Sequence, residues 1–381
     1  MKSKILISFS LLLLIRISVF SQSQNILYKV KSEFAPDSRT AIFEIKYDSV
    51  SGTLKGKTNI IKAKEKLIFE FSKASVNLID SVETLPNKTL SDNRFGIVNV
   101  SVANLRTTPN ESAELASQLL LGMPLRLLEK HRGWYRVQSP DQYIGWVDGS
   151  TIEVFTQKAF ENQTSIPKVV YVQTSGFALS DSLNSNSRIR DLSFGNLNSY
   201  KKVGANYTEL ILPDGKLGFV KNADVVDSKL WLKNLNSDIT NIKEITNTFL
   251  GIPYLWGGTS YKGVDCSGFT RMAYFSKGLL LPRDASQQVL LGKEISIENN
   301  FKNLQEGDLL FFGNTTTKKV THVAIWLGDL KFVHSSGMVK INSFDKNDPD
   351  FDSYNLERLI VVKRLSENLP KLGCNNLYIL D

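Results

Sequence analysis

The stretch GVDCSGFTRMAYF, residues 263–275, places a cysteine at the start of a helix. Asp265 is a good N-cap residue, and Phe269, Met272, Ala273 and Phe275 supply an apolar face behind it. Cys266 then falls on the first turn, where backbone N–H groups lack partners and the helix dipole favours an anion. That setting lowers a thiol pKa and predicts a thiolate as the resting nucleophile. The same amides suit an oxyanion once a carbonyl is attacked. A small buried cysteine on a helix is the competing reading, and a partner decides between them.

The chain has three histidines, and two of them, His322 and His334, lie in THVAIWLGDLKFVHSS, residues 321–336. Two short strands here meet at Gly328-Asp329, a hairpin signal. A three-residue loop centred on Gly328 sets His322 directly opposite His334, whereas a two-residue loop shifts it by one. In the first register the rings share a face and touch. His322 is then the base for Cys266, and His334 orients His322 and holds its tautomer. Two histidines on an exposed hairpin, or a metal pair lacking a third His, is the alternative. His131, beside Gly133-Trp134, reads as surface.

Outward from these motifs, residues 238–365 read as one α+β unit. Asp238 caps a helix running to Leu250, a second helix follows Cys266, and strands follow at Gly307–Phe312, Val320–Leu327, Lys331–Ser335 and Leu359–Lys363. Upstream, GWYRVQSPDQYIGWV (133–147) and ANYTELILPDGKLGFV (205–220) look like one hairpin pattern twice. Tyr135, Pro140-Asp141, Gly145 and Trp146 recur as Tyr207, Pro213-Asp214, Gly218 and Phe219, about seventy residues on. Short strands with turns at this spacing predict two small β-barrels, residues 93–155 and 167–228. They resemble bacterial SH3-like domains. Residues 25–90 alternate over Ala41–Tyr47, then offer a helix from about Thr58 to Phe71 and a strand around Val76 to Ile79, a small α+β piece of unread function.

The chain's first residues decide the compartment. Lys2 and Lys4, the apolar run Ile5 to Ile15 and Val19-Phe20-Ser21 follow the order of a secretory signal peptide, so residues 1–21 are expected to be removed. Arg16 leaves no spanning helix of about 20 apolar residues, so the remainder is expected to be exported, to the periplasm or beyond, without a transmembrane segment. With 381 residues the chain is long enough for several domains. The net charge of +8 is spread rather than clustered, which argues against nucleic acid and leaves anionic wall polymers or plain solubility open. Cys266 and Cys374 are the only cysteines. They either pair or leave Cys266 as a free thiol, and its helix-start setting favours the free thiol.

PYLWGG (253–258), DCSGF (265–269), LPRDASQQ (281–288), EGDLLFF (306–312), THVAIWLGD (321–329) and FVHSS (332–336) follow the order and spacing of the NlpC-type cell-wall peptidases. The resemblance covers roughly residues 240–365. It implies a papain-like fold and a Cys266–His322–His334 triad, with no metal or organic cofactor. With two SH3-like domains in front, the chain also resembles a subgroup that cleaves γ-D-glutamyl bonds to a diamino acid in peptides with a free N-terminal L-Ala. There an acidic residue after the arginine of the third motif helps bind the amine, which is Asp284 here. An acidic and an aromatic residue of the first SH3-like domain close the site, best matched by Glu114 in SAELASQ and Tyr143 in QYIGW. The implied partner is a cell-wall peptide, a free muropeptide; the alternatives are an endopeptidase on intact peptidoglycan anchored by the SH3-like domains, or a non-catalytic wall-binding protein.

Several further positions carry two readings. Tyr254 either hydrogen-bonds near the sulfur or packs in the core, and Ser267 either contacts substrate or is solvated. Asp265 caps the helix beside the substrate. Trp256-Gly257-Gly258 shapes the groove. Arg283 pairs with Asp284 or meets a substrate carboxylate. Asp308 reads as a turn residue, and Gln287 and Gln288 sit on a helix that faces either the groove or the core.

Overall fold

The computed structural model describes residues 21–74, 78–234, 241–297 and 300–365. The expected leader (all but Ser21), Val76, Asp238 and Cys374 lie outside the described residues. No helix among the described residues is long and apolar enough to cross a membrane.

The first module opens with a helix over residues 21–34 that the sequence reading had not anticipated. Strands Phe43–Asp48 and Thr53–Thr58 pair antiparallel, and Ile79–Thr84 adds parallel to the second. A parallel neighbour needs a crossover, and helix Ile61–Lys73 supplies it, burying Ala63, Leu67 and Phe71 at four-residue spacing along one face. The strand Thr53–Thr58, sequence TLKGKT, was also unforeseen, because a Gly and two Lys blur its alternation. The helix starts three residues later than expected, since Thr58 closes that strand.

Among the described residues, the next two modules are seven-stranded sheets with one strand order. Phe95–Val98 recurs as Lys168–Tyr171, Leu115–Leu120 as Arg188–Ser193 and Ile144–Asp148 as Leu217–Lys221, a constant offset of 73 residues. This corrects one expected equivalence. Trp134 pairs with Asp148 and Tyr207 with Lys221, so Tyr207 corresponds to Trp134 and not to Tyr135. The barrels interlock through backbone: Leu197 N donates to Leu121 O at 2.9 Å, and Leu121 is buried in the second barrel's core.

In the last module, helix Cys266–Phe275 is buried along its whole length. It lies on a sheet whose described strands run in the order 293–295, 359–364, 309–313, 320–328, 331–336 and 338–343. Alternation divides the side chains. Leu309, Phe311, Val323, Ile325 and Val333 pack with Phe269 and Met272 on the helix side, while Leu310, Phe312, Ala324, Trp326 and Phe332 form a separate core. The four expected strands appear within a residue or two of their expected ends. Lys293–Ile295 and Met338–Ser343 are additional, and the second of these becomes important at the site.

Candidate active site

Cys266 starts its helix because Asp265, in extended conformation, accepts from Gly268 N at 2.7 Å. The backbone N–H groups of Val323 and Ser267 point at the sulfur. Burial nevertheless pushes the thiol up to about 11, and the charge of Asp265 adds to it, outweighing those amides. The resting thiolate expected from helix position is therefore corrected: the capping carboxylate and the dry surroundings hold the proton on sulfur. Cys266 is unpaired among the described residues.

His322 lines the same cavity as Cys266, a space of about 440 Å³. The two histidines touch, His322 Nε2 to His334 Nδ1 at 2.8 Å, but the hairpin differs from the expected one. Its turn is the two residues Asp329-Leu330, both in left-handed conformation, with a bulge between Trp326 and Gly328. Continued from Ile325↔Val333, this register sets His322 diagonal to His334 rather than opposite, still on one face. His334 is buried, and its Nε2 lies 2.9 Å from Asn342 Oδ1. Asn342 Nδ2 donates to Asp350 O at 3.0 Å, which fixes the amide's orientation. The tautomers follow: His334 Nε2–H donates to Asn342, His334 Nδ1 accepts from His322 Nε2–H, and His322 Nδ1 keeps its lone pair for a proton. Burial pushes His322 down to about 3, with the charges of His334 and Arg358 adding to it, so the ring rests neutral as a base must. Asn342 was not singled out in the sequence; it lies on a strand that the motifs do not announce.

The far end of the cavity is acidic and comes from three modules. Tyr143 Oη donates to Asp284 Oδ2 at 3.1 Å, and Arg39 NH1 donates to the same oxygen at 2.9 Å and to Ser286 Oγ at 2.9 Å. Burial and the neighbouring Asp284 raise the Tyr143 pKa, so it remains a donor. Glu114 Oε1 accepts from Trp256 Nε1 at 2.8 Å. Trp256 is the one side-chain donor to the Glu114 carboxylate among the described residues, whereas Asp284 also caps the short helix Ala285–Gln288. Gly257 lets Trp256 approach, since a Cβ there would lie 2.3 Å from Leu115 O. Burial, with the charges of Cys266 and Asp265, pushes Tyr254 up to about 12, so it too stays a hydroxyl donor beside the sulfur.

The ion-pair partner of Arg283 is Asp265 and not Asp284. The guanidinium is buried under the site and forms a two-pronged ion pair with Asp265, also donating to Ser267 Oγ at 3.0 Å. Ser267 is accordingly buried rather than solvated, on the cavity wall. Gln288 belongs to the core, bonded to Thr270 and to Ser267 O, whereas Gln287 reaches Asp37 of the first module at 2.8 Å. Asp308 is the turn residue expected, held by Arg364 at 2.7 Å. His131 lies exposed near Trp146, away from the site. Arg39 was missed entirely; a single arginine outside any motif carries no signal in one sequence.

The NlpC/P60 family model matches residues 251–354, and a bacterial dipeptidyl-peptidase SH3 domain model matches residues 105–152. The chain is 31% identical over 274 residues to dipeptidyl-peptidase 6 of Lysinibacillus sphaericus, covering 66% of this chain and 93% of that one. It is 30% identical over 240 residues to a γ-D-glutamyl-L-lysine dipeptidyl-peptidase of Bacillus cereus, covering 58% and 67%. In fold it is similar to an NlpC/P60 family protein from Bacillus cereus, with a TM-score of 0.61 at 24% identity over 72% of this chain and all of that one.

Proposed function

Because the chain belongs to the NlpC/P60 family and is a cysteine peptidase of cell-wall peptides, we propose that it hydrolyses the γ-D-glutamyl bond to a diamino acid in peptides with a free N-terminal L-Ala. Cys266 is the nucleophile, His322 the base and His334 its orienting partner. The observation that carries the substrate is the acidic, walled end of the cavity. The carboxylates of Asp284 and Glu114 suit an ammonium, and Tyr143 and Trp256 border them on the cavity wall. Relatives named for γ-D-glutamyl dipeptidyl-peptidase activity support the same reading.

With thiol and imidazole both neutral at rest, the proton moves to His322 Nδ1 as sulfur attacks the γ-carbonyl. N–H groups at the helix start receive the oxyanion, with the Tyr254 hydroxyl beside them. His322 passes the proton to the leaving amine, and the thioester is then hydrolysed by water that His322 deprotonates. Ser267 and Asp265 act from below: with Arg283 they hold the helix start rigid against the substrate. Residues 1–21 serve as an export signal, which puts the enzyme in the periplasm or outside the cell. The remaining division is 25–90, 93–155, 167–228 and 238–365.

The test is mass spectrometry of L-Ala-γ-D-Glu-diaminopimelate incubated with the protein and with Cys266→Ala. Release of free diaminopimelate by the wild type alone, with the N-acetylated peptide left uncut, is the expected result. Equal rates on acetylated and free peptides would sink the free-amine reading and move the enzyme to intact peptidoglycan.

A further inference from the structure

The Pro-Asp turn that the sequence repeats is used differently in its two copies. In the second barrel Asp214 pairs with Arg190 at 2.9 Å and with Lys216 at 3.1 Å, both in its own module. In the first, Asp141 Oδ2 accepts from Arg271 NH1 of the catalytic helix at 2.6 Å, and the two side chains are only 9% and 10% exposed. The second copy shows that such a turn needs no cation from another module. A buried ion pair between modules is weak evidence of added stability, so its use is sought in what it holds together.

The same NH1 carries a second hydrogen, which it donates to Leu281 O at 2.7 Å. One nitrogen therefore joins two segments, and each leads into the acidic end of the catalytic cavity. Asp141 stands two residues before Tyr143 in a closed turn, where Ser139 N donates to Tyr143 O at 3.0 Å and Gln142 N to Ser139 O at 2.8 Å. Ser139 Oγ donates to the other oxygen of Asp141, which ties the carboxylate to that turn. Leu281 stands three residues before Asp284, and Gln288 Nε2 holds the chain between them at Pro282 O, 2.9 Å away. The two segments end in the hydroxyl and carboxylate that meet at 3.1 Å, Tyr143 and Asp284. The third fixed point is the nucleophile, because Arg271 lies on helix Cys266–Phe275, little more than one turn after Cys266.

We propose that Arg271 is a positioning residue that sets the amine pocket of Tyr143 and Asp284 at a fixed distance from Cys266, and so decides which bond, counted from the free amine, meets the sulfur. The inference rests on the free-amine reading above and deepens it. Arg271 stays off the cavity wall and acts through the two segments it ties. Tyr143 and Asp284 come from different modules, and a guanidinium on the nucleophile's own helix refers both to the reacting atom. Small errors of placement are costly at such a site, which is why a rigid tie matters there.

The experiment measures kcat/KM of the full-length protein on two tripeptides, L-Ala-γ-D-Glu-diaminopimelate and its des-amino form with propionyl in place of L-alanyl. Their ratio is the preference for the amine, expected to be about 100-fold in the wild type, the worth of hydrogen bonds to a charged group. An Asp141 left buried without its partner would destabilise the protein, so the variant is Arg271→Met combined with Asp141→Leu, which removes both charges. It is expected to keep a urea midpoint near that of the wild type while the amine preference falls by about tenfold, mostly through KM. Arg271→Lys, whose single ammonium reaches toward both oxygens from one bond less, is expected to fall between the two. An unchanged ratio in the double variant, or in Arg271→Lys where the double variant does not fold, overturns the proposal and leaves Arg271 a packing residue only. A wild type that cuts both peptides equally, or neither, overturns the free-amine reading, and this inference with it.

Discussion

The two barrels share strand order and a 73-residue offset, yet the first reaches the catalytic cavity and the second does not. Glu114 stands just before strand Leu115–Leu120, and Tyr143 just before Ile144–Asp148. The corresponding positions in the second barrel are Ser187, which bonds its own loop at Asp181 O, and Lys216, an exposed partner of Asp214. The second barrel presents Phe194 to Phe275 and Tyr261, and Asp191 to Lys262, which props up the back of the catalytic helix. One fold thus supplies a wall in one copy and a buttress in the other. Which surface docks, and not topology, assigns the role.

The junction between the copies offers the sharpest way to break this comparison. Gly122 and Gly195 occupy the same turn at φ +81° and +84°, conformations that favour glycine. A Cβ at Gly122 would lie 1.8 Å from Leu197 O, across the barrel–barrel contact, where backbone cannot yield. At Gly195 it would meet side-chain carbons of Phe275 and Leu120 at 2.9 and 3.0 Å, which can shift. Gly122→Ala is expected to destabilise by about 3–5 kcal/mol and Gly195→Ala by about 1–2 kcal/mol, read from urea midpoints at constant slope. Equal losses would mean that the barrels are not locked through backbone.

A smaller effect separates wall from buttress in activity. Glu114→Gln and Tyr143→Phe are each expected to lower kcat/KM on the free-amine tripeptide by about 10–100-fold, the worth of a hydrogen bond to a charged group. Lys216→Ala, at the position equivalent to Tyr143, is expected to stay within about twofold, since its exposed ammonium pairs with Asp214 at the surface. A comparable loss at Lys216 would show that the second barrel does more than support.

How much of this was legible in the sequence follows from the kind of signal each part carries. Local rules placed the strands around the two histidines, because apolar alternation and a Gly-Asp turn are written into neighbouring residues. The Asp265 cap and the buried face of the helix behind it were equally plain. Register was less legible: the bulge beside Gly328 has no composition of its own, so the diagonal contact between His322 and His334 could be foreseen only as a shared face. The thiol's protonation was misread because the helix rule is local while burial is a property of the assembled modules. Arg39 and Asn342 were invisible for the same reason. Each matters through a contact with a residue distant in sequence or on an unannounced strand.

Arg39 also shows why the first barrel, and not the second, is the wall. Ile144 N donates to Arg39 O at 2.7 Å, Lys57 pairs with Glu129, and Arg136 reaches Glu44 at 2.8 Å, so the first barrel carries the N-terminal module to the cavity. The apolar cluster of Ile42, Leu85, Leu128 and Ile144 seals that junction independently of the Arg39 side chain. Arg39→Ala therefore tests the guanidinium without undocking the module. The guanidinium either holds Asp284 in place for the substrate or competes with the substrate's ammonium. Its own grip favours the first: Asp37 takes Nε at 2.8 Å and NH2 at 2.7 Å, leaving NH1 as a fixed post against Asp284 and Ser286. Both partners are about a third exposed, so solvent screens the pair and its worth is modest. The expected outcome is a KM raised by about three- to tenfold with kcat little changed, and an unaltered urea midpoint. A KM that falls would instead mark Arg39 as a competitor that the substrate must displace, and the N-terminal module as a gate on the first barrel's wall.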